Sequence, residues 1–239
     1  GRKARWYANC VSAAVYVLSP GVFRYIPRGR PSDFVKDVFP AMLTGGEPLY
    51  GYKTAEYIKD MGTAERLEKV GRDLACGRVA RFARPNRRPA IFMDRDGTLV
   101  EEVDLLHCVD DLSLYPFAAK AVKTINGSDF LSFVITNQPV VARNLCSMED
   151  VRVIHRKLET LLGEQGAYLD DIYFCPHHPD KGYPEENLLY KIDCQCRKPK
   201  TGMIEAAARE YPVDLPESWI IGDRTMDIQT GINAGLATV

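Results

Sequence analysis

The chain has 239 residues, 46% of them hydrophobic and 26% charged, with a formal net charge of -1. That balance excludes a disordered, collagenous or strongly cationic nucleic-acid-binding chain, and the length admits one large domain or two unequal ones, each able to bury a core. The charge is unevenly divided: residues 1–89 carry 17 Lys/Arg against 8 Asp/Glu and residues 90–239 carry 14 against 24, a change of sign that suggests two domains.

Along the chain, Arg2, Lys3 and Arg5 precede an uncharged stretch from Trp6 to Phe23, in the manner of a signal peptide. Asn9, Ser12, Ser19, Pro20 and Gly21 interrupt it and leave Val11–Leu18 as the compact apolar run, which suits a buried strand rather than a membrane span. Asp33–Leu43 is predicted as a short helix, and Thr63–Ala75 as an amphipathic helix with Leu67, Val70 and Leu74 on one face. Residues 78–89, with five arginines and two prolines, read as a linker or exposed connection between a segment 1–77 and a domain 90–239. A nucleic-acid patch there is disfavoured, because Phe82 is the one aromatic available for stacking. The chain begins with Gly rather than Met and stops at Gly235-Leu-Ala-Thr-Val239 as if entering a strand, so a fragment is expected. Seven cysteines, an odd number, with Cys10, Cys76, Cys108 and Cys146 scattered, fit a reducing, cytoplasmic setting.

Beyond residue 89, apolar runs alternate with helical patterns as in a parallel α/β sheet, whose site lies at the carboxyl ends of the strands. The runs are Ala90–Asp94, Phe130–Ile135, Ile172–Cys175 and Trp219–Gly222. Between the second and third, Ser147 is the expected N-cap of a helix, with Asp150 three residues on and Val151, Ile154, Leu158, Leu161 and Leu162 as its buried stripe. His155 on that helix is expected to be exposed and is given no function.

Asp94-Arg95-Asp96-Gly97-Thr98 follows the first run directly. Two carboxylates one residue apart at a strand end face one ligand only if the chain turns; Gly97 permits that turn, and the freed N–H groups suit a phosphate. A second cluster, Cys175-Pro-His177-His178-Pro179 with Cys194-Gln-Cys196, gives two close ligand pairs joined by a loop containing Gly182 and Pro184, the spacing of a closed tetrahedral zinc site. Cys175, His177, Cys194 and Cys196 are the expected Zn²⁺ ligands, with His178 in reserve. Four protein ligands leave no open position, so the site reads as structural, fixing the loop that delivers Arg197 and Lys198.

Four strings in order, Asp94-Arg-Asp-Gly-Thr-Leu99, Thr136-Asn137-Gln138, Arg197-Lys198-Pro199 and Gly222-Asp223-Arg-Thr-Met-Asp227, closely resemble the haloacid dehalogenase (HAD) superfamily of phosphatases over essentially all of residues 90–239. The resemblance implies a Rossmann-like α/β domain with a parallel sheet. It assigns Asp94 as nucleophile, Asp96 as general acid/base, and Mg²⁺ held by Asp94, the Asp96 backbone carbonyl and Asp223. Lys198 is expected to balance charge on the phosphoryl group, Thr136 and Asn137 to donate hydrogen bonds to it, and Asp227 to orient Lys198 or a metal-bound water. The zinc loop marks the branch of heptose bisphosphate and histidinol phosphate phosphatases. About 40 residues between the first two strings leave room for a helix and a flap but no large cap. Arg95, Arg143, Arg197 and Arg224 are the cations expected around the substrate phosphates. One departure from the family pattern is Pro139 after Gln138, where many relatives have Ser-Gly.

Val11–Leu74 resembles the carboxyl half of a sugar-1-phosphate nucleotidyltransferase, at Gly51-Tyr52 and Glu56–Thr63. That implies a Mg²⁺-binding role for Asp60 and a nucleotide loop upstream of residue 1. The pairing favours removal of the 7-phosphate of D-glycero-D-manno-heptose 1,7-bisphosphate, because the product is the sugar 1-phosphate such a transferase consumes. Histidinol phosphate hydrolysis and a nucleic-acid 3′-phosphatase or nucleic-acid-binding module are the alternatives; the acidity of residues 90–239 opposes the latter. A small phosphosugar partner is expected, with neither nucleic acid nor membrane.

Overall fold

The computed structural model describes residues 5–180, 182 and 185–239; Arg2, Lys3 and Pro184, named above, lie outside the described residues. It divides into two compact units, Cys10–Thr54 and Ala55–Val239, the second including the described residues up to Asn9. Among the described residues no helix is long and apolar enough to cross a membrane.

In the smaller unit, a 3-10 turn at Pro20–Tyr25 is followed by a π-helical turn at Phe34–Val38 and α1 (Phe39–Thr44). The Asp33 carboxylate accepts from the N–H groups of Val35 and Lys36 and so starts the helical stretch predicted there. The strand expected at Val11–Leu18 is not formed. Val11, Val15 and Val17 are 93%, 78% and 100% exposed, and no strand exists among the described residues of this unit to take up the hydrogen bonds of another.

The larger unit opens with α2 (Ala64–Ala75), capped by Thr63, whose side chain accepts from Arg66 N–H. Its predicted apolar stripe is only partly covered, Leu67 and Leu74 remaining exposed. The stretch 78–89 is exposed at residues 80–81 and 84–87 but is anchored at two points. It forms a helical turn, α3 (Arg78–Arg81), and Phe82 and Arg88 are buried. The Arg88 guanidinium lies over the Phe82 ring and donates to the carbonyls of Asp129 and Phe130, so this arginine is a packing element of the unit.

β1 (Ala90–Met93), α4 (Ala118–Gly127), β2 (Leu131–Asn137), α5 (Met148–Glu164), β3 (Asp171–Cys175), α6 (Gly202–Glu210), β4 (Trp219–Ile221), α7 (Thr225–Ala234) and β5 (Ala237–Thr238) follow in order. The strands form one sheet in the order β3-β2-β1-β4-β5, with every pairing parallel. β2 is buried from Leu131 through Thr136, Ser132 included, because both of its faces are covered. On one face Met93 and Val134 pack with Val122 of α4 and Ile154, Leu158 and Leu162 of α5. On the other, Phe92 and Phe133 stack at 5.4 Å and meet Met203, Ile204 and Ala207 of α6. Ser147 and Asp150 form the expected capping box of α5.

Candidate active site and thiol cluster

The chain runs β1, β2, β3 to one side and then crosses to β4 on the other, so its order reverses between β1 and β4. In open parallel sheets the crevice beyond the strand ends at such a point is where ligands bind. Asp94 leaves β1 and Asp223 leaves β4 at this place, and the Asp94 N–H still donates to Ile221 O at 2.9 Å.

Asp94 is buried, and burial pushes its carboxyl up from the usual range against the opposing pull of Lys198. Its Oδ1 accepts from Arg95 N–H at 2.7 Å and meets Lys198 Nζ at 2.9 Å. The ammonium also donates to Asp227 Oδ1 at 2.5 Å and to Ile135 O at 3.1 Å. All three of its donors are therefore spent, and the charge is held at one point. Asn137 brackets the same peptide from β2: its Oδ1 accepts from Lys198 N–H at 3.0 Å and its Nδ2 donates to Lys198 O at 3.3 Å. The Asn137 amide is thus bonded to the Lys198 peptide while Asn137 still lines the cavity with Lys198.

Two glycines make the close approaches possible. A Cβ on Gly97, which has φ +78°, would lie 2.4 Å from Asp223 Oδ2, and one on Gly222 would lie 2.3 Å from Asp227 Cγ. Asp94, Asp223 and Asp227 consequently each offer an oxygen within 4.8 Å of the others. Carboxylate oxygens gathered in this way suit a hard divalent cation. Both Asp227 oxygens are engaged, Oδ1 by Lys198 and Oδ2 by Arg224 N–H, which leaves Asp94 and Asp223 as the side chains available to a metal.

Asp96 is held from behind. Arg95 donates through Nε to Oδ1 at 2.9 Å and through Nη2 to Oδ2 at 2.8 Å, and Gln138 Nε2 donates to Oδ2 at 2.8 Å and to Thr136 Oγ1 at 3.0 Å. Asp94, Asp96, Glu102, Thr136, Lys198 and Arg224 are among the residues lining the cavity in front. Of the four arginines expected around a bound phosphate, Arg224 alone lines it, and its guanidinium meets Glu102 at 2.6 Å. Arg95 corrects the expectation most directly: it is fully buried and its fork is committed to Asp96. Arg197 is turned toward the thiol cluster and donates to His177 O at 3.2 Å, while Arg143 sits half-buried on the loop after β2. His155, expected on the surface, is 6% exposed, with its ring edge-on to Phe174 and its Nε2 3.2 Å from Arg95 Nη1. Gln138, although part of the Thr136-Asn137-Gln138 string, Glu102 and His155 carry no role in the sequence reading; their partners Asp96, Arg224 and Arg95 lie 42, 122 and 60 residues away, where a local pattern carries no signal.

The second cluster forms as spaced. Cys175, His177, Cys194 and Cys196 each offer a ligand atom within 4.8 Å of the others. The sulfur pairs are 3.4 Å (Cys175–Cys194), 3.2 Å (Cys175–Cys196) and 3.3 Å (Cys194–Cys196), and His177 Nδ1 is 3.3 Å from Cys196 Sγ. These separations are too long for disulfides and near the roughly 3.5–3.8 Å edges of a tetrahedron with zinc–ligand arms of about 2.0–2.3 Å. The hydrogen bond the two share pulls the Cys196 thiol down and pushes the Cys175 thiol up. His178 is not part of the group: its Nδ1 accepts from Asp180 N–H at 3.2 Å.

Residues 195–239, which carry Lys198, Asp223 and Asp227, match the HAD-hydrolase-like family. Over 150 residues the chain is 39% identical to the D-glycero-beta-D-manno-heptose-1,7-bisphosphate 7-phosphatase of Rhodopseudomonas palustris, covering 63% of this chain and 81% of that protein. The D-glycero-D-manno-heptose-1,7-bisphosphate 7-phosphatase of Thermosynechococcus vestitus is 40% identical over 151 residues, 62% of this chain and 76% of its own. In structure, the chain is similar to the D,D-heptose 1,7-bisphosphate phosphatase of B. bronchiseptica complexed with magnesium and phosphate: TM-score 0.55, 32% identity, 63% of this chain and 78% of that one. Sheet order and the acidic crevice at its switch point, read with these matches, define a phosphatase of the HAD-like class. Within that class the chain belongs to the heptose-1,7-bisphosphate 7-phosphatase family.

Proposed function

We propose that this chain removes the 7-phosphate of D-glycero-D-manno-heptose 1,7-bisphosphate through an aspartyl phosphate formed on Asp94. The observation that carries the reading is the 2.9 Å contact of Asp94 with a fully committed Lys198, beside Asp223, at the switch point of the sheet. Asp94 attacks phosphorus and the ester oxygen leaves; Asp96 gives that oxygen its proton and then takes one from the water that cleaves the acyl phosphate. Lys198 lies where charge builds on the phosphoryl oxygens, and Thr136 offers a hydroxyl from β2. The cavity brings Asp94, Asp96, Glu102 and Asp104 together against Lys198 and Arg224, so a phosphate dianion needs a further cation. Mg²⁺ would supply that neutralisation, held by Asp94, the Asp96 backbone carbonyl and Asp223.

Cys175, His177, Cys194 and Cys196 would hold a structural Zn²⁺ that fixes the segment running directly into Lys198. Cysteines gathered in this way support a reducing, cytoplasmic setting. The amino-terminal segment 1–77 is read as part of a nucleotidyltransferase on its Gly51-Tyr52 and Glu56–Thr63 strings, with residues 90–239 as the phosphatase domain. Asp60, the residue that reading would place at a metal, pairs with Arg66 and accepts from Gly62 N–H.

Phosphate release from both anomers of the heptose bisphosphate, from histidinol phosphate and from a 3′-phosphorylated oligonucleotide tests the assignment. Preference for a heptose bisphosphate by kcat/KM is expected. Preference for either other substrate overturns it, and Asp94→Asn must reduce turnover to background.

A further inference from the structure

Asp96 is the one cavity carboxylate whose two oxygens are both gripped by a single buried side chain. Arg95 spends Nε and Nη2 on it and turns Nη1 away from the cavity to His155 Nε2 at 3.2 Å. A guanidinium has donors only, so in this contact the ring nitrogen accepts and the proton of a neutral imidazole lies on Nδ1. Burial, with the Arg95 charge next, holds His155 well below its ordinary value of 6.5, which keeps the ring neutral and accepting. Phe174 meets the ring at 5.1 Å and 72°, so its direction is set by packing from β3. Arg95 itself is fully buried. Were Nη1 left without an acceptor, a buried charged donor would be unsatisfied and the fork under Asp96 would lose the contact that anchors it from behind.

We infer that His155 is a positioning residue for Asp96, fixing through Arg95 the plane in which the carboxylate meets the leaving oxygen and the attacking water. The inference rests on the reading of Asp96 as general acid/base. It assigns a task to a buried histidine that touches no substrate, and it explains why the Arg95 side chain is directed into the protein.

The test compares His155→Leu, which removes the acceptor, with His155→Gln, whose Oε1 reaches the place of Nε2. Heptose 1,7-bisphosphate, whose leaving oxygen needs a proton, and p-nitrophenyl phosphate, whose leaving group does not, are the substrates. His155→Leu is expected to lower kcat on the bisphosphate by about 10–100-fold with KM changed less than about 2-fold, and to keep the p-nitrophenol burst. His155→Gln should recover to within about 3-fold of the parent. In an Asp96→Asn background His155→Leu should add less than about 2-fold, because the two act as one unit. Equal slowing of the burst and of bisphosphate turnover, a fully additive effect in that background, or unchanged kcat in a folded His155→Leu overturns the inference. If the leucine variant fails to fold, His155→Asn, one bond too short, replaces it: a loss in Asn with recovery in Gln supports the role, and equal kcat in both overturns it. Wild-type turnover by Asp96→Asn would remove the acid/base reading itself, whereas an Asp96 defect without a His155 defect removes only the inference.

Discussion

Replacing Lys198 with Met tests how the site is held together before any chemistry occurs. The ammonium is 1% exposed and lies 2.9 Å from Asp94 Oδ1 and 2.5 Å from Asp227 Oδ1, with Asp227 completely buried. At an effective dielectric of about 20 each contact is worth about 6 kcal/mol of Coulomb attraction, from which desolvation of the three ions takes back several kcal/mol apiece. The pair is therefore a modest net stabiliser, but removing the cation alone leaves two carboxylates buried without it. Such a deletion costs about 3–5 kcal/mol, a large share of the roughly 5–15 kcal/mol that holds a domain folded. Urea unfolding in EDTA, which keeps divalent cations from replacing the lysine, is the assay. Lys198→Met should lose about 3–5 kcal/mol, and adding Asp227→Asn should return at least about 1 kcal/mol by removing one stranded charge while activity stays at background. A loss below about 1 kcal/mol in the single variant, or a double variant less stable than the single, would refute the account of Lys198 as the counter-charge of both carboxylates.

Gly97→Ala should disable Mg²⁺ activation rather than folding alone, because its Cβ would sit 2.4 Å from Asp223 Oδ2 on a residue with φ +78°; a raised Mg²⁺ requirement in a titration of activity checks this, and an unchanged one counts against Asp223 as ligand. Cys194→Ser should lower zinc content from about one per chain and reduce Tm, read by metal analysis and calorimetry, since a closed site couples binding to folding of its loop. His155 stays neutral in the fold while the unfolded chain protonates near 6.5. The unfolded state then binds more protons below that pH, so stability falls as pH drops, by up to about 1.4 kcal/mol per pH unit. Urea unfolding at pH 7 and pH 5 should show His155→Gln losing less than the parent; equal slopes would place the histidine's ionisation elsewhere.

The strand ends were legible because in a parallel sheet the apolar run and the polar turn after it are adjacent in sequence. Asp94 after Ala90–Met93 and Asp223 after Trp219–Ile221 needed no long-range information beyond the sheet type. The thiol cluster was legible for a related reason, two close ligand pairs each within three residues. What local pattern does not contain is the partner of a side chain. Asn137 lines the cavity as its string implies, but its bracketing of the Lys198 peptide, 61 residues away, has no local signal; His155 reads as exposed because a polar residue on an amphipathic helix usually is, and its partner Arg95 lies 60 residues back. Val11–Leu18 failed in the opposite sense. Its composition suits a strand, but a strand is a property of a pair, and no pairing strand exists among the described residues of its unit.

The thiol cluster and the reaction centre are covalently one segment, since Cys196 is followed by Arg197 and Lys198. Three residues span at most about 10 Å, so the cluster sets the direction from which Lys198 arrives. The other end of that short tether is fixed by Asn137 on Lys198's own peptide and by Asp227 on its ammonium. If the cluster holds the proposed Zn²⁺, its loss would therefore act on the position of Lys198 more than on Asp94 or Asp96, which hang on β1 and its turn. On the proposed assignments, a chain depleted of Zn²⁺ alone and assayed with Mg²⁺ present would lose charge stabilisation of the phosphoryl group while keeping nucleophile and acid, lowering kcat on p-nitrophenyl phosphate and on an alkyl ester by the same factor. That parallel loss distinguishes damage to Lys198 from damage to Asp96, whose proton matters only to the alkyl leaving group in the first step.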